Sequence, residues 1–338
     1  MLRMRDDKEA ALKRPIGLLF AIALTTAPLA AETQPVLTGN IAIHDPTIAI
    51  VDGHFASFAT GVEGASDGGM PRTKTSPDGI AWAETGALPG DVPSWIAAEL
   101  GYTPNNLWAP SISEHAGTHY LYYSASTFGS NVSAIGLMTN AALDAANPAA
   151  GWQDQGMVLR SNRADNFNAI DPFRIDTADG TAWLAFGSFW DGIRMVALDP
   201  ATGLRSDATP PIALASRGGG AIEAPSILEH DGRFYLFVSF DACCRGVASS
   251  YRIMVGRADS VTGPYLDADG TPLLDGGGTE LLATTEKYRG PGGQDVFLRD
   301  GEPWLAYHYY DRDAGGTPKL QLTPILWQDG WPQLPPLP

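Results

Sequence analysis

Residues 223–241 read EAPSILEHDGRFYLFVSFD. Ile227 and Leu228 lead into Asp231-Gly232, and Phe234 to Val238 then alternate aromatic with aliphatic side chains. Aromatic and β-branched residues suit a pleated surface, and Asp-Gly suits a tight turn whose two central residues both need positive φ. The stretch therefore predicts a β-hairpin opened by an acidic residue near a proline.

The same phrase returns along the chain: HDPTIAIVDGHFASFATG from His44, WAPSISEHAGTHYLYYSAS from Trp108, IDPFRIDTADGTAWLAFGSF from Ile170 and, without the proline, GQDVFLRDGEPWLAYHYYD from Gly293. Each half alternates with period two, as Tyr120, Leu121, Tyr122 and Tyr123 do, and no segment of similar length keeps a helical period. Shorter β-like pieces at residues 72–82, 134–139 and 251–258 supply further strands. Five such units of about four strands each predict an all-β chain folded as a five-bladed β-propeller. A two-sheet sandwich leaves the return of one phrase at the head of every unit unexplained. Glycine and proline are spread throughout, so residues 32–338 are expected to form a single catalytic domain.

In a propeller the first strand of each blade lines the central channel, so repeat-openers distant in sequence meet there. Asp45, Asp171 and Glu223 open the first, third and fourth units, whereas Trp108 and Ala109 stand in the second. One Asp-Pro pair reads best as a turn. Three acids at one repeat position are different, because like charges on a shared axis raise one another's pKa and oppose folding. Glycoside hydrolysis needs such a set: one carboxylic acid protonates the leaving oxygen and one carboxylate activates water. The longer Glu223 suits the acid, Asp45 the base, and Asp171 the modulator of the Glu223 pKa. Trp108 and Phe128 are expected to receive apolar sugar faces, with Asn168, Ile170 and Ser188 at the edges.

HDP at His44, NLWAPSI at Asn106, YYSASTFGSNVSAIGL at Tyr122, NAIDP at Asn168, GSFWDGI at Gly187, AIEAP at Ala221, SFDACCRGVASSY at Ser239, GRADSVTGPY at Gly256 and AYHYYD at Ala306 resemble the arabinanases of glycoside hydrolase family 43. The likeness spans Ile41 to about Pro332. It implies endo-acting, inverting cleavage of α-1,5-linked arabinan and arabino-oligosaccharides, with the same three roles for Asp45, Glu223 and Asp171. It also implies a hydrated calcium ion beside His308 and no organic cofactor. The residues alone read His308 as a strand histidine among Tyr307, Tyr309 and Tyr310. Two positions depart from the family pattern: Ser111 stands where many relatives have Asp, and Gly293 where a histidine is usual.

The first 31 residues carry Arg3, Arg5, Lys8, Lys13 and Arg14, then an apolar stretch from Ile16 to Leu29 and the small Ala30 and Ala31. This reads as a signal peptide, too short and too broken to span a bilayer, and predicts export to the periplasm or the outside. The net charge of −16 disfavours nucleic acid and anionic membranes as partners. A monomer that leaves the membrane once the leader is cleaved is expected. The cysteines, Cys243 and Cys244, are adjacent; their short Cα separation favours a buried reduced pair over a disulfide. An exo-acting arabinofuranosidase or β-xylosidase of the same family is the competing activity. A lectin that binds glycans without cutting them would need no trio of acids.

Overall fold

The structure is a computed structural model that describes residues 33–338; the leader expected over residues 1–31 lies outside the described residues. Five sheets follow one another along the chain, each built from strands consecutive in sequence and antiparallel apart from the short Thr38–Gly39, which pairs parallel with Ala81–Ala87; a two-stranded ladder of Leu326–Gln328 and Trp331–Gln333 comes after them. Their innermost strands are Thr47–Val51, Trp108–His115, Phe173–Asp176, Ile222–His230 and Tyr288–Arg299. These are the five repeats, and the fold is the expected five-bladed β-propeller. Asp52-Gly53 and Asp231-Gly232 turn their hairpins with φ of 50° and 78°, and of 49° and 70°. Two positive φ values in succession match the right-handed twist of the flanking strands, which is why Asp-Gly recurs there.

Core packing shows why the strands read as nearly continuous apolar runs. Successive side chains point to opposite faces, and each blade is covered on both. Tyr120 and Tyr122 pack toward the third blade, Leu121 and Tyr123 toward the first. Leu236 and Val238 face the third blade, Tyr235 and Phe237 the fifth. An apolar cluster fills each gap between neighbouring blades, including the gap between the fifth and the first. The buried tyrosine hydroxyls find partners at the rim: Tyr122 donates to the Gly203 carbonyl at 2.8 Å and Tyr123 to Asp154 at 3.0 Å.

The ring closes through the start of the domain. The fifth blade contributes Tyr288–Arg299, Glu302–Asp311 and Thr317–Pro324. Its outer edge is met by residues 41–43: the Ile43 N–H donates to the Pro318 carbonyl at 3.1 Å, and the Leu320 N–H to the Ile41 carbonyl at 2.8 Å. The chain then runs directly into His44 and Asp45 at the head of the first blade, so ring closure and the placement of Asp45 are one event.

Two local readings are corrected. Residues 72–82 form no single strand; Asp78-Gly79 turns the chain between Arg72–Ser76 and Ala81–Ala87. A helix, Ser94–Leu100, lies between the first two blades and buries Ile96 and Leu100 in their shared cluster. Seven residues carry too few apolar positions to announce a period.

Candidate active site

Each inner strand enters the sheet through one residue in the left-handed region: Asp45 at φ 51°, Ala109 at 39°, Asp171 at 56°, Ala224 at 53° and Gly293 at 56°. In four of the five the next residue is proline, which restricts the residue before it and removes a donor from the ladder. The strand register slips at this point in the second, fourth and fifth blades. All five residues line a cavity of about 30 Å³. The repeat-openers therefore do meet on one axis. Their alignment sharpens the sequence reading: Asp45 and Asp171 share the left-handed position with Ala224, so Glu223 stands one residue earlier, in line with His44, Trp108 and Ile170. That offset places Glu223 in an extended backbone, while the aspartates tolerate the left-handed conformation that costs a larger residue more.

Above this ring opens a cleft of about 1240 Å³, and Asp45, Asp171 and Glu223 all line it. Asp45 Oδ2 accepts from His44 Nδ1 and from the Thr60 hydroxyl, both at 2.7 Å. Thr60 Oγ1 in turn accepts the Ala109 N–H at 2.9 Å, tying the first blade to the second. Asp171 is held by its own N–H, which donates to Ser124 Oγ at 3.0 Å, and by its Oδ2, which accepts the Ala224 N–H at 3.0 Å. Glu223 is buried at 8% exposure, and its Oε2 accepts from the Ser188 hydroxyl.

These surroundings push the acids in opposite directions. Burial opposes the charge on Asp45, but the adjacent His44, by charge and hydrogen bond, together with His308 and the Thr60 hydroxyl outweighs it, and the carboxyl is held well below its usual range. Burial raises Glu223 to about 7, against the Ser188 hydrogen bond and with help from the Asp45 charge. Asp171 is raised well above the usual range by burial, then by Glu223 and Asp45. Near neutrality the site thus carries an ionised Asp45 facing a proton-holding Asp171–Glu223 pair.

Trp108, Phe128, Asn168, Ile170 and Ser188 all line the cleft. Phe128 is 79% exposed with its ring centroid 5.0 Å from that of Trp108, a bare aromatic surface on an otherwise packed blade. Asn168 is buried with its Oδ1 unpartnered by protein. Ser188 has its hydroxyl committed to Glu223, so it acts first on the acid. The cleft also holds residues to which the sequence assigned no role. Phe189 and Trp190 take φ of 52° and 42° in succession, a costly conformation for bulky side chains, and their signal was only the GSFWDG motif. Tyr310 lies 2.7 Å from His44 Nε2, completing a chain from Tyr310 through His44 to Asp45.

His308 is fully buried and stacks on His44 with ring centroids 3.9 Å apart. His44, Asp45 and His308 bring one ligand atom each within 4.8 Å of one another. His308 Nδ1 is 3.2 Å from the Asp45 N–H and 3.5 Å from Asp45 Oδ1, while its buried Nε2 has no protein partner. Burial, then His44, lowers the His308 pKa well below its usual value, so the ring is neutral. The Asp45 N–H donates to Nδ1, so the buried Nε2, which has no protein partner, is the ring atom left to meet a hydrated ion. Gly293 leaves this space clear: a Cβ there would fall 2.5 Å from Asp45 Oδ1 and 2.7 Å from the His308 ring.

The expectation of a reduced, buried cysteine pair is overturned. Cys243 and Cys244 are joined by a disulfide, Cys243 half-buried and Cys244 exposed, and both line the cleft. The φ of 65° at Cys244 accommodates the short bridge that the Cα spacing alone argued against.

The sequence matches the profile of the glycosyl hydrolases family 43 over residues 32–332. It is 40% identical to extracellular endo-α-(1→5)-L-arabinanase 1 of Bacillus subtilis, over 94% of this chain and 93% of that protein. It is 35% identical to the extracellular exo-α-(1→5)-L-arabinofuranosidase ArbA of Cellvibrio japonicus, over 94% and 91%. The solved family 43 endo-arabinanase of Bacillus licheniformis superposes with a TM-score of 0.81 at 40% identity, covering 88% of this chain and 99% of that one.

Proposed function

The chain belongs to glycosyl hydrolases family 43, and on that premise we propose that it cleaves the α-1,5 bonds of arabinan from within the chain, with inversion at the anomeric carbon. One observation carries the mechanism. Within a single cleft Asp45 is held ionised and Glu223 is held protonated to about 7, the separation of roles that acid and base catalysis by two carboxyls requires.

Glu223 gives its proton to the leaving glycosidic oxygen, while Asp45 takes a proton from the water that attacks the opposite face of the sugar. His44 and Thr60 orient the Asp45 carboxylate toward that water. Asp171 shares the buried pair's proton load, keeping Glu223 an acid, and its bond to the Ala224 N–H steadies the strand that carries it. Trp108 and Phe128 receive sugar faces on one side of Asp45. His308 would hold a hydrated calcium ion, whose positive charge would favour the ionised form of Asp45.

Export is part of the proposal. It is supported by the leader-like first 31 residues and by two relatives described as extracellular. Among the described residues no helix is long and apolar enough to cross a membrane.

The test is digestion of debranched arabinan, with products sized over time and the anomer of the first products read by NMR. Early mixed oligosaccharides of inverted configuration are expected, and Glu223→Ala should abolish their release while leaving the fold intact. Release of one short product from the outset would assign the exo activity of the Cellvibrio relative instead.

A further inference from the structure

The Cys243–Cys244 disulfide sits where a structural staple has no use. A bridge between neighbouring residues closes almost no loop, so it removes little freedom from the unfolded chain. It instead presents two sulfur atoms that carry no proton and donate no hydrogen bond. The loop bearing them is fixed on several sides. The Cys244 N–H donates to the Tyr310 hydroxyl at 2.8 Å, the Arg245 N–H to Ser249 Oγ at 3.0 Å, and the Ser250 N–H to the Ala242 carbonyl at 2.8 Å. Just before it, the Asp241 carboxylate is clamped by Arg217 at 3.0 Å and Arg252 at 2.8 Å.

Its position relative to Asp45 is equally defined. The Thr60 hydroxyl joins Asp45 Oδ2 to the N–H of Ala109, the residue after Trp108. His44 bonds the same oxygen, and Cys244 Sγ lies 3.8 Å from His44 Nε2. The aromatic pair Trp108 and Phe128 and the sulfur pair thus line the same cleft as Asp45, the sulfur pair one side chain away from it.

We propose that the Cys243–Cys244 disulfide is a substrate-contacting platform, an apolar face on which a furanose ring of the arabinan chain packs beside the cleaved bond. The assignment rests on the function proposed above. Sulfur is large and polarizable and meets C–H surfaces well. The bridge also locks both side chains before the sugar arrives, so no rotamer freedom is lost on binding. Two free cysteines or two serines would present separate, rotating groups, and serines would add hydroxyls that prefer water.

The experiment compares four forms on debranched arabinan and on arabinohexaose: the oxidised wild type, the wild type reduced by a water-soluble phosphine, the same protein after reoxidation, and the double variant Cys243→Ser/Cys244→Ser. Reduction and the double variant should each raise KM about tenfold, the loss expected for one or two buried methylene contacts, with kcat within about twofold of the oxidised enzyme. Reoxidation should restore KM. Calorimetric binding of arabinohexaose to Glu223→Gln should weaken by the same factor when the bridge is reduced, independently of turnover. An unchanged KM in both the reduced enzyme and the double variant overturns the platform, as does a fall in kcat that tracks a lowered melting temperature, which marks a staple. An oxidised wild type that neither cleaves arabinan nor binds arabinohexaose removes the substrate assignment itself, whereas normal cleavage with no effect of the bridge removes only this inference.

Discussion

The Ser188 hydroxyl donates to Oε2 of Glu223 from the neighbouring blade, and the two residues also share an isolated backbone bridge. This contact is the one hydrogen bond that favours the ionised form of an acid otherwise held protonated by its burial.

Ser188→Ala should therefore move the alkaline limb of kcat/KM upward, because the lost bond had lowered the Glu223 pKa. The variant also leaves a buried carboxyl without its donor, a cost of about 1–3 kcal/mol, which a denaturation midpoint would register. A limb that shifts downward or stays in place would contradict the role given to Ser188.

In the wild type the alkaline limb should fall near pH 7, where Glu223 loses the proton it must donate. The sign carries over to stability. A carboxyl whose folded pKa is raised from 4.5 to about 7 binds its proton more tightly when folded, so its stabilisation is fully present below the lower value and is lost as pH rises through the upper one. Relative to Glu223→Gln, the wild type should lose up to about 3 kcal/mol between those limits. Urea titrations of both proteins across that range check it, and parallel curves would refute it.

Which parts of this were legible beforehand follows from how local their causes are. Asp231-Gly232 and the Phe234–Val238 alternation are governed by turn and strand sterics within a few residues, so the hairpins and their fivefold return could be read directly. Convergence of Asp45, Asp171 and Glu223 followed from the repeat. The one-residue offset of Glu223 shows in its extra residue before Pro225, but its backbone cause did not, since it depends on a left-handed residue that is Asp, Ala or Gly in different blades and so has no single letter. The bridge at Cys243–Cys244 was misjudged because Cα spacing was weighed without the positive φ that accommodates it. Thr60 reaches Asp45, and Tyr310 reaches His44, only through tertiary packing.

Gly293 separates backbone strain from collision. Ala109 and Ala224 occupy the same left-handed position, so a Cβ with that φ is tolerated in this fold. Only at Gly293 would the added carbon strike Asp45 and His308. Gly293→Ala should cost more than tenfold in kcat through displacement of Asp45 and should lower the melting temperature by several degrees. Ala224→Gly should instead relieve about 1 kcal/mol of strain, partly offset by the freedom glycine adds to the unfolded chain. Equal effects of the two substitutions would show that the space around Asp45 is not what Gly293 protects.

The proposed calcium ion makes a prediction that does not depend on turnover. His308 is buried, neutral and left with an unpartnered Nε2, a group that costs stability unless something satisfies it. An ion that binds only the folded protein stabilises it by about 2.7 kcal/mol at a hundred times its dissociation constant, and the gain grows with the logarithm of concentration. Chelation should therefore lower the melting temperature of the wild type, and added calcium should raise it in a concentration-dependent way. In His308→Ala the melting temperature should start lower and respond to neither treatment. Activity should follow the same titration, because the cation's charge helps keep the adjacent Asp45 ionised as base. A wild-type melting temperature and rate that ignore both chelator and calcium would leave His308 as a packed strand histidine stacked on His44, which is how its sequence neighbours Tyr307 and Tyr309 first present it.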